Sequence, residues 1–487
     1  MFSLPLIIIF AFSLTIPFTK FITSTHKTHL VCNILCIAGF STALIIFFSR
    51  FSEKTPFILQ SMLLSSNIYG ITPAFNSSET LIFTVTMSLG LLTSIYSFKY
   101  VERDSGLPLY YSLLLLNAAG IVGLASSYDF FTVFVFWELM CVSSYVLTAF
   151  RKNKPESIEA GIKYAIMSSV GSVTILFGLA LIYTVTGTLN FQGVVSALKT
   201  ISFNPLIYVA SVFLLVGFGI KTALFPLHTW LPDAYMAAPT SISAFMSGIV
   251  TLSGLYAMIR SFSVLRYAVD IHSLWFISII SVVNMFFGNI AALLQDDLKR
   301  MLAYSSIAHV GYMLIGVSVW TLPGITASLL HLFNHAFIKS MAFFCAGAIV
   351  YRLGTGRLAE IYGVGRVMPL TASALIVSLL SSIGMPPLNG FISKLYLFLA
   401  SADSGMLWLG LLLVINSVIS AGYYLRIIRV LVAPVSKNVE AVKEAPIQMI
   451  VPIYVGAALV IFFGLYPDPV LSLAQSAASH ILSLGEG

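Results

Sequence analysis

The segment Val216–Tyr235, VGFGIKTALFPLHTWLPDAY, continues a strongly apolar run that starts at Tyr208 and puts a lysine where a greasy helix should carry on. Lys221 follows Gly217 and Gly219 and precedes Pro226. Glycine and proline interrupt helices. A broken helix at membrane depth persists only where protein buries it or where it lines water. The rest of the chain settles whether the surroundings are a membrane. Of 487 residues, 58% are hydrophobic and 9% charged, against about 25% charged in a soluble domain. Such a chain has too little polar surface to face water, so its solvent is lipid.

A spanning helix needs roughly 20 apolar residues. That window finds fourteen runs, at about 3–19, 30–49, 80–98, 108–126, 129–150, 160–186, 204–226, 239–260, 271–293, 300–318, 324–351, 368–400, 406–428 and 448–466. The reading is an all-α polytopic membrane protein. Runs 160–186, 324–351 and 368–400 exceed the required length, which predicts tilt or breaks. The first run lacks a basic flank and a small-residue cleavage site, so it reads as a retained helix rather than a signal peptide.

The net charge of +7 follows the loops. Sixteen Lys and Arg, among them Lys99, Arg151, Lys152, Lys154, Lys299, Arg300, Arg352, Arg357 and Lys437, fall on one side of the predicted helices. Five, Arg50, Lys54, Lys199, Arg260 and Arg266, fall on the other. The positive-inside rule makes the first side cytoplasmic, in an inner or cytoplasmic membrane, with both termini external. The basic balance is thereby topology, and no nucleic-acid partner is implied. Cys32, Cys36, Cys141 and Cys345 lie in apolar runs without CxxC or metal spacing and read as small core residues.

Four basic residues remain inside the runs: Lys163, Lys221, Lys339 and Lys394. Glu138 is the one acid read as deep in a span, with Asp129 and Glu159 at helix ends. Lys394 shares the setting of Lys221, following GMPPLNGF with Pro386, Pro387 and Gly390. Two broken helices five runs apart, in opposite orientation, are a transporter pattern. The predicted division is an N-terminal part over 1–107, a first inverted five-helix unit over 108–260 and a second over 271–430. A cytoplasmic loop, the last helix and an external tail follow over 431–487.

A lone carboxylate at the bilayer centre needs a partner, water or a proton. By sign, the partner of Glu138 is Lys221. Burial disfavours a charged ammonium and a nearby carboxylate favours it, so opening and closing such a pair would toggle the protonation of Lys221. A pair serving only as a staple is poor value against apolar packing, and it leaves Lys394 without an acid. His309, His331, His335 and Lys339 continue the set. The last three recur at i, i+4 and i+8 and share one helix face, and neutral histidine both donates and accepts a proton. His331 and His335 lack the further ligands that a metal would need. His228 and Asp233 flank the end of the seventh run, and Lys163 lies one turn after Glu159; these three are access or accessory positions. No dinucleotide fingerprint, P-loop, haem-attachment or nucleophile motif is present, so the chain implies no cofactor.

The segments GFGIKTALFPLHTWLPDAYMAAPTSISA, FFTVFVFWELM, DDLKRMLAYSSIAHVGYM, HLFNHAFIKSMAFFCAGA and GMPPLNGFISKLYLF resemble the antiporter-like membrane subunits of respiratory complex I. They also resemble the D-type subunit of Mrp-type sodium/proton antiporters and its equivalent in membrane-bound hydrogenase-type complexes. The resemblance implies fourteen helices with inverted repeats, broken seventh and twelfth helices, and a mid-membrane polar axis that conducts protons. It maps the axis onto Glu138, Lys221, His309, His335 and Lys394, and the lysine at the last position looks D-type. It implies a multi-subunit complex whose other members are small antiporter subunits or hydrophilic redox subunits, with H+ and in some members Na+ as cargo. Any oxidoreductase chemistry would then belong to those partners. One departure stands out. Where the family often carries a bridging lysine in the eighth helix, this chain reads TLSGLYAMIR, with Leu252.

Two other readings compete. A solute carrier would present several selective polar groups at the midplane, whereas this chain lines up titratable ones. A purely structural subunit would keep buried charges as relics, a reading that Leu252 favours.

Overall fold

The computed structural model describes residues 4–22, 25–49, 76–201, 204–267, 275–436, 439–440 and 442–485. Arg50, Lys54 and Lys437 lie outside the described residues. Among those described, helices dominate and thirteen are long and apolar enough to cross a membrane. In chain order the first six helices are α1 (Leu4–Thr15), α2 (Thr25–Ser49), α3 (Ser77–Tyr100), α4 (Leu107–Ala125), α5 (Phe130–Thr148) and α6 (Pro155–Thr186). The first broken region follows as α7 (Phe191–Thr200), α8 (Pro205–Thr222), α9 (Trp230–Ala237) and α10 (Thr240–Leu265). Then come α11 (Phe276–Leu293), α12 (Leu298–Val319), α13 (Leu322–Leu353), α14 (Pro369–Ile383) and α15 (Asn389–Asp403). The described chain closes with α16 (Leu407–Val432), α17 (Ile447–Leu465) and α18 (Asp468–Ser483).

The fourteen apolar runs all appear as helices, the twelfth split into α14 and α15. Two amphipathic helices, α7 and α18, were not foreseen. Each buries a short stripe, Phe191, Val194, Val195 and Leu198 in one and Val470, Ala474, Ala477, Ala478 and Ile481 in the other. Both are too short and too polar to register as spans.

Two successions of elements match in kind. Asp129 caps α5 and pairs as an isolated bridge with Asn190, and Asp297 caps α12 and pairs likewise with Arg357. The helices after them, α6 and α13, are both 32 residues long and end on a left-handed glycine, Gly187 and Gly354. Each is followed by a helix that stops at a left-handed residue and restarts after an X–Pro cis peptide, Phe225–Pro226 or Pro386–Pro387.

The core is built where helices are buried on all sides. Every residue of α10 is buried, including a π-helical turn at Met246–Val250, and α12 and α13 are nearly so. The periphery is α6 and α16, whose outward residues Ile162, Ile166, Val173 and Phe177, or Leu411, Val414 and Val418, are apolar and exposed. That inversion of the soluble pattern is what lipid as solvent demands.

Candidate functional site

The first break is made from local chemistry. Ala223, just past α8, is left-handed at φ 59°, which costs a residue with a Cβ about 1–2 kcal/mol. The Trp230 indole N–H donates to the freed Ile220 carbonyl at 2.7 Å, and the Phe225 amide donates to Asn284 Oδ1 on α11 at 2.6 Å. These bonds answer the requirement that backbone groups opened at membrane depth find partners. Lys221, in the last turn of α8, is 2% exposed. Its ammonium donates to Tyr164 Oη at 2.6 Å and Ser144 Oγ at 3.4 Å. It also lies 4.9 Å over the Tyr164 ring, which stacks on Trp230 at 4.0 Å.

Here the expected ion pair gives way. Among the described residues no contact within 4 Å joins Lys221 to Glu138. Tyr164 and Ser144 hold the ammonium, while Glu138 accepts a short hydrogen bond from the Ser172 hydroxyl of α6. Glu138 is half-buried on the flank of α5, between the exposed Val135 and Val142. Each charge thus takes hydroxyl partners rather than the other.

At the second break Gly384 has φ 94°, and a Cβ there would lie 3.1 Å from Lys394 Cδ. Lys394 reaches back from α15 to the open end of α14. It donates to the carbonyls of Ser382 at 2.8 Å and Ile383 at 3.0 Å, to Ser417 Oγ at 3.0 Å, and sits 4.7 Å over the Tyr312 ring. The negative end of the α14 dipole and its unpaired carbonyls thus replace an acidic partner. Asn389, opening α15, is fixed by Asn334, and the two amides bond at 3.1 Å.

Between the breaks the structure brings three of the expected residues, Lys339, His309 and His331, into one file. Lys339 Nζ donates to Tyr424 Oη at 2.9 Å and to Ser305 Oγ at 2.5 Å. Tyr424 Oη lies 3.4 Å from His309 Nε2, His309 Nδ1 lies 3.0 Å from His331 Nε2, and His331 Nδ1 lies 2.8 Å from Ser393 Oγ, next to Lys394 in the chain. One assignment of protons satisfies every link in the same sense: ammonium to phenol, phenol to imidazole, imidazole to imidazole, imidazole to serine. His335 stands beside the file, its ring 5.2 Å from that of His309, with both nitrogens buried and unpartnered. No hydrogen bond among the described residues connects this file to the Lys221 group. Leu252, where the resembled family often carries a lysine, is fully buried in α10.

The accessory residues separate. Asp233 meets Lys163 at 3.0 Å and Arg300 at 3.6 Å, and Lys163 also pairs with Glu159 at 2.7 Å. These residues line a cavity of about 300 Å³ on the face of the basic loops. His228 belongs elsewhere, stacked on Phe225 and tilted against Phe287, with Nδ1 unpartnered.

Two sequence assignments need correction. Arg260, counted with the loops, is buried in α10 and donates to the carbonyls of Leu124, Ala125 and Ser127. Lys299, also counted there, is buried and caps the carbonyls of Met236 and Ala238. A buried acid also sits at a helix start: α3 begins at Ser77, and Glu79 in its first turn is 1% exposed. Sequence reasoning also missed Tyr164, Tyr424, Tyr312 and Ser393. Tyrosine and serine inside apolar runs look like ordinary core or membrane-belt residues.

Residues 127–420 match the family described as NADH:quinone oxidoreductase/Mrp antiporter, transmembrane. The chain is 35% identical over 402 residues to NADH-quinone oxidoreductase subunit N of Desulforudis audaxviator, covering 79% of each chain. It is 33% identical over 404 residues to F420H2 dehydrogenase subunit N of Methanosarcina mazei, covering 81% of this chain and 82% of that one. Among solved structures it resembles a chain of the archaeal membrane-bound sulfane sulfur reductase at TM-score 0.88 and 30% identity, over 99% of this chain and 98% of that one. It resembles a chain of Thermus thermophilus respiratory complex I at TM-score 0.76 and 26% identity, over 97% and 100%. A chain of the Mrp complex from Dietzia sp. shares the fold at TM-score 0.85 and 23% identity, over 99% and 98%.

Proposed function

The chain belongs to the NADH:quinone oxidoreductase/Mrp antiporter family of antiporter-like membrane subunits, and from that premise we propose that it translocates protons within a redox-driven respiratory membrane complex. The observation that carries the proton reading is the file Lys339–Tyr424–His309–His331–Ser393, whose links run in one sense and end beside Lys394. A proton entering at one end and leaving at the other reverses each bond in turn, and neutral histidine suits both halves of the exchange. Lys221 at the first break and Lys394 at the second are the residues assigned to take up and hand on the charge, with Glu138 setting the field at the flank. We assign His335 to hold the water that crosses the step where Leu252 stands, since two buried, unpartnered ring nitrogens are a ready water site.

The redox placement rests on the relatives, named subunit N of an NADH-quinone oxidoreductase and of an F420H2 dehydrogenase; the Mrp likeness carries the fold alone. On this reading the partners are other membrane subunits and hydrophilic electron-carrying subunits. The division into units over 108–260 and 271–430 is supported by the matched succession of capped, 32-residue and broken helices. The cytoplasmic assignment of the basic loops rests on their charge.

The test is purification through a tag on this chain. Co-purifying iron–sulfur subunits are the expected result. Recovery with small membrane subunits alone would overturn the redox placement in favour of a cation/proton antiporter.

A further inference from the structure

The face opposite the basic loops carries a second buried ionisable cluster that the axis above does not use. Glu79, in the first turn of α3, accepts a hydrogen bond from Tyr128 Oη at 2.5 Å, and its other oxygen, Oε2, is buried with no hydrogen-bond partner among the described residues. Tyr128 also takes a bond from Asn76 at 2.6 Å and lies 3.2 Å from His480 Nε2, while His480 Nδ1 lies 2.9 Å from Ser78 Oγ. His480 belongs to α18, which is pinned to α10 through a short bond from the Ser263 hydroxyl to the Ile481 carbonyl. Arg260 is the fixed positive charge, its guanidinium 5.1 Å over the Tyr128 ring and anchored on three carbonyls at the end of α4.

We propose that Glu79, Tyr128 and His480 form the port through which protons exchange between the buried axis and the face opposite the basic loops, with α18 as its cover. The proposal rests on the proton-translocating reading above. A buried carboxyl with an idle oxygen is costly unless a proton or water visits it. From it the phenol and the imidazole make an unbroken hydrogen-bonded line to a half-exposed residue. One helix, α10, packs against both the first break and this cluster. A Cβ on Gly254 would come within 2.6 Å of Thr222 Oγ1 and 3.3 Å of Lys221 Cβ, so the helix touches the first break directly. Arg260 lies six residues further along, about 9 Å of helical rise. The ionisable and charged groups facing Glu79 are Tyr128, Tyr256, Arg260 and His480; no second acid among the described residues lies in the cluster. Burial, then the Arg260 charge, lower the His480 ring to about 4, which keeps it neutral at pH 7 and able to pass a proton through either nitrogen.

The test uses the intact complex in vesicles, with proton flux driven by an imposed pH gradient so that it does not depend on the electron donor. Glu79→Gln and Tyr128→Phe should each lower flux about tenfold with assembly intact, and Glu79→Asp should recover part of it. Infrared spectra should show a carboxyl band, absent in Glu79→Gln, that responds to pH changed on the face opposite the basic loops and not on the basic face. Should Glu79→Gln fail to assemble, Tyr128→Phe carries the flux test alone. A flux abolished by Lys221→Ala but untouched by Glu79→Gln and Tyr128→Phe sinks the port and leaves translocation standing. A carboxyl band that follows only the basic face also overturns the port. Wild-type flux in Lys221→Ala sinks the broader reading first.

Discussion

The Lys221 ammonium and the Tyr164 hydroxyl meet at 2.6 Å across α8 and α6, and the same tyrosine ring stacks at 4.0 Å on Trp230, which caps the broken end of α8. One aromatic side chain therefore ties the charge of the lysine to the geometry of the break. A change at either end reaches the other through a rigid stack.

Tyr164→Phe keeps the stack and removes the hydroxyl. A charge-assisted hydrogen bond is worth about 1.5–3 kcal/mol, so Tm should drop, and with a proton-transfer partner lost, proton flux should fall about tenfold to a hundredfold. Flux at the wild-type level in reconstituted vesicles would remove Tyr164 from the path.

Tyr424→Phe cuts the file between Lys339 and His309, and His309→Ala cuts it one link later. Members of a single relay act as a unit. The double variant should therefore lose no more flux than the worse single one. Additive losses would mean that the two residues serve separate routes.

The two breaks differ in how they reach the left-handed turn, with Ala223 at φ 59° and Gly384 at φ 94°. Gly384→Ala imposes the left-handed penalty of about 1–2 kcal/mol and crowds the Lys394 stem, so Tm should drop. Ala223→Gly relieves the same conformation, so Tm should rise. Thermal unfolding of the two variants in detergent reads both signs, and a stabilised Gly384→Ala would contradict the account of the break.

The docking of α18 should weaken in acid. The His480 ring is held at about 4, by burial first and by Arg260 second, against roughly 6.5 when free. A base lowered on docking favours the docked state fully above about 6.5 and progressively less as pH falls towards 4, where the undocked helix takes up the proton. Protection factors over 468–483, taken against the intrinsic exchange rate at each pH, should therefore fall across that window, and His480→Gln should flatten the dependence. Protection factors independent of pH in the wild type would contradict the burial of this ring.

Much of this arrangement is legible in the sequence. Apolar runs separated by basic loops define a membrane chain because lipid leaves no other solution, and glycine with proline around Lys221 and Lys394 located both breaks. Partner choice was not legible. Opposite signs suggested Glu138 for Lys221, but the Lys221 ammonium bonds Tyr164 and Ser144 while Glu138 bonds Ser172, and hydroxyl residues inside apolar runs carry no signal of their own. Glu79 was hidden by a boundary: a start of 80 for the third helix places it in a loop, and the helix begins at Ser77. Arg260 looked like an interfacial arginine because nothing in the local sequence announces the three carbonyls it serves.

The most direct measurement is proton flux through the reconstituted complex carrying Lys221→Ala, beside Glu138→Ala and the wild type, with subunit composition checked in each. The account predicts that the complex assembles normally and that Lys221→Ala abolishes flux, because the Lys221 ammonium is the charge handed on at the first break. An assembled Lys221→Ala complex that moves protons at the wild-type rate would contradict it.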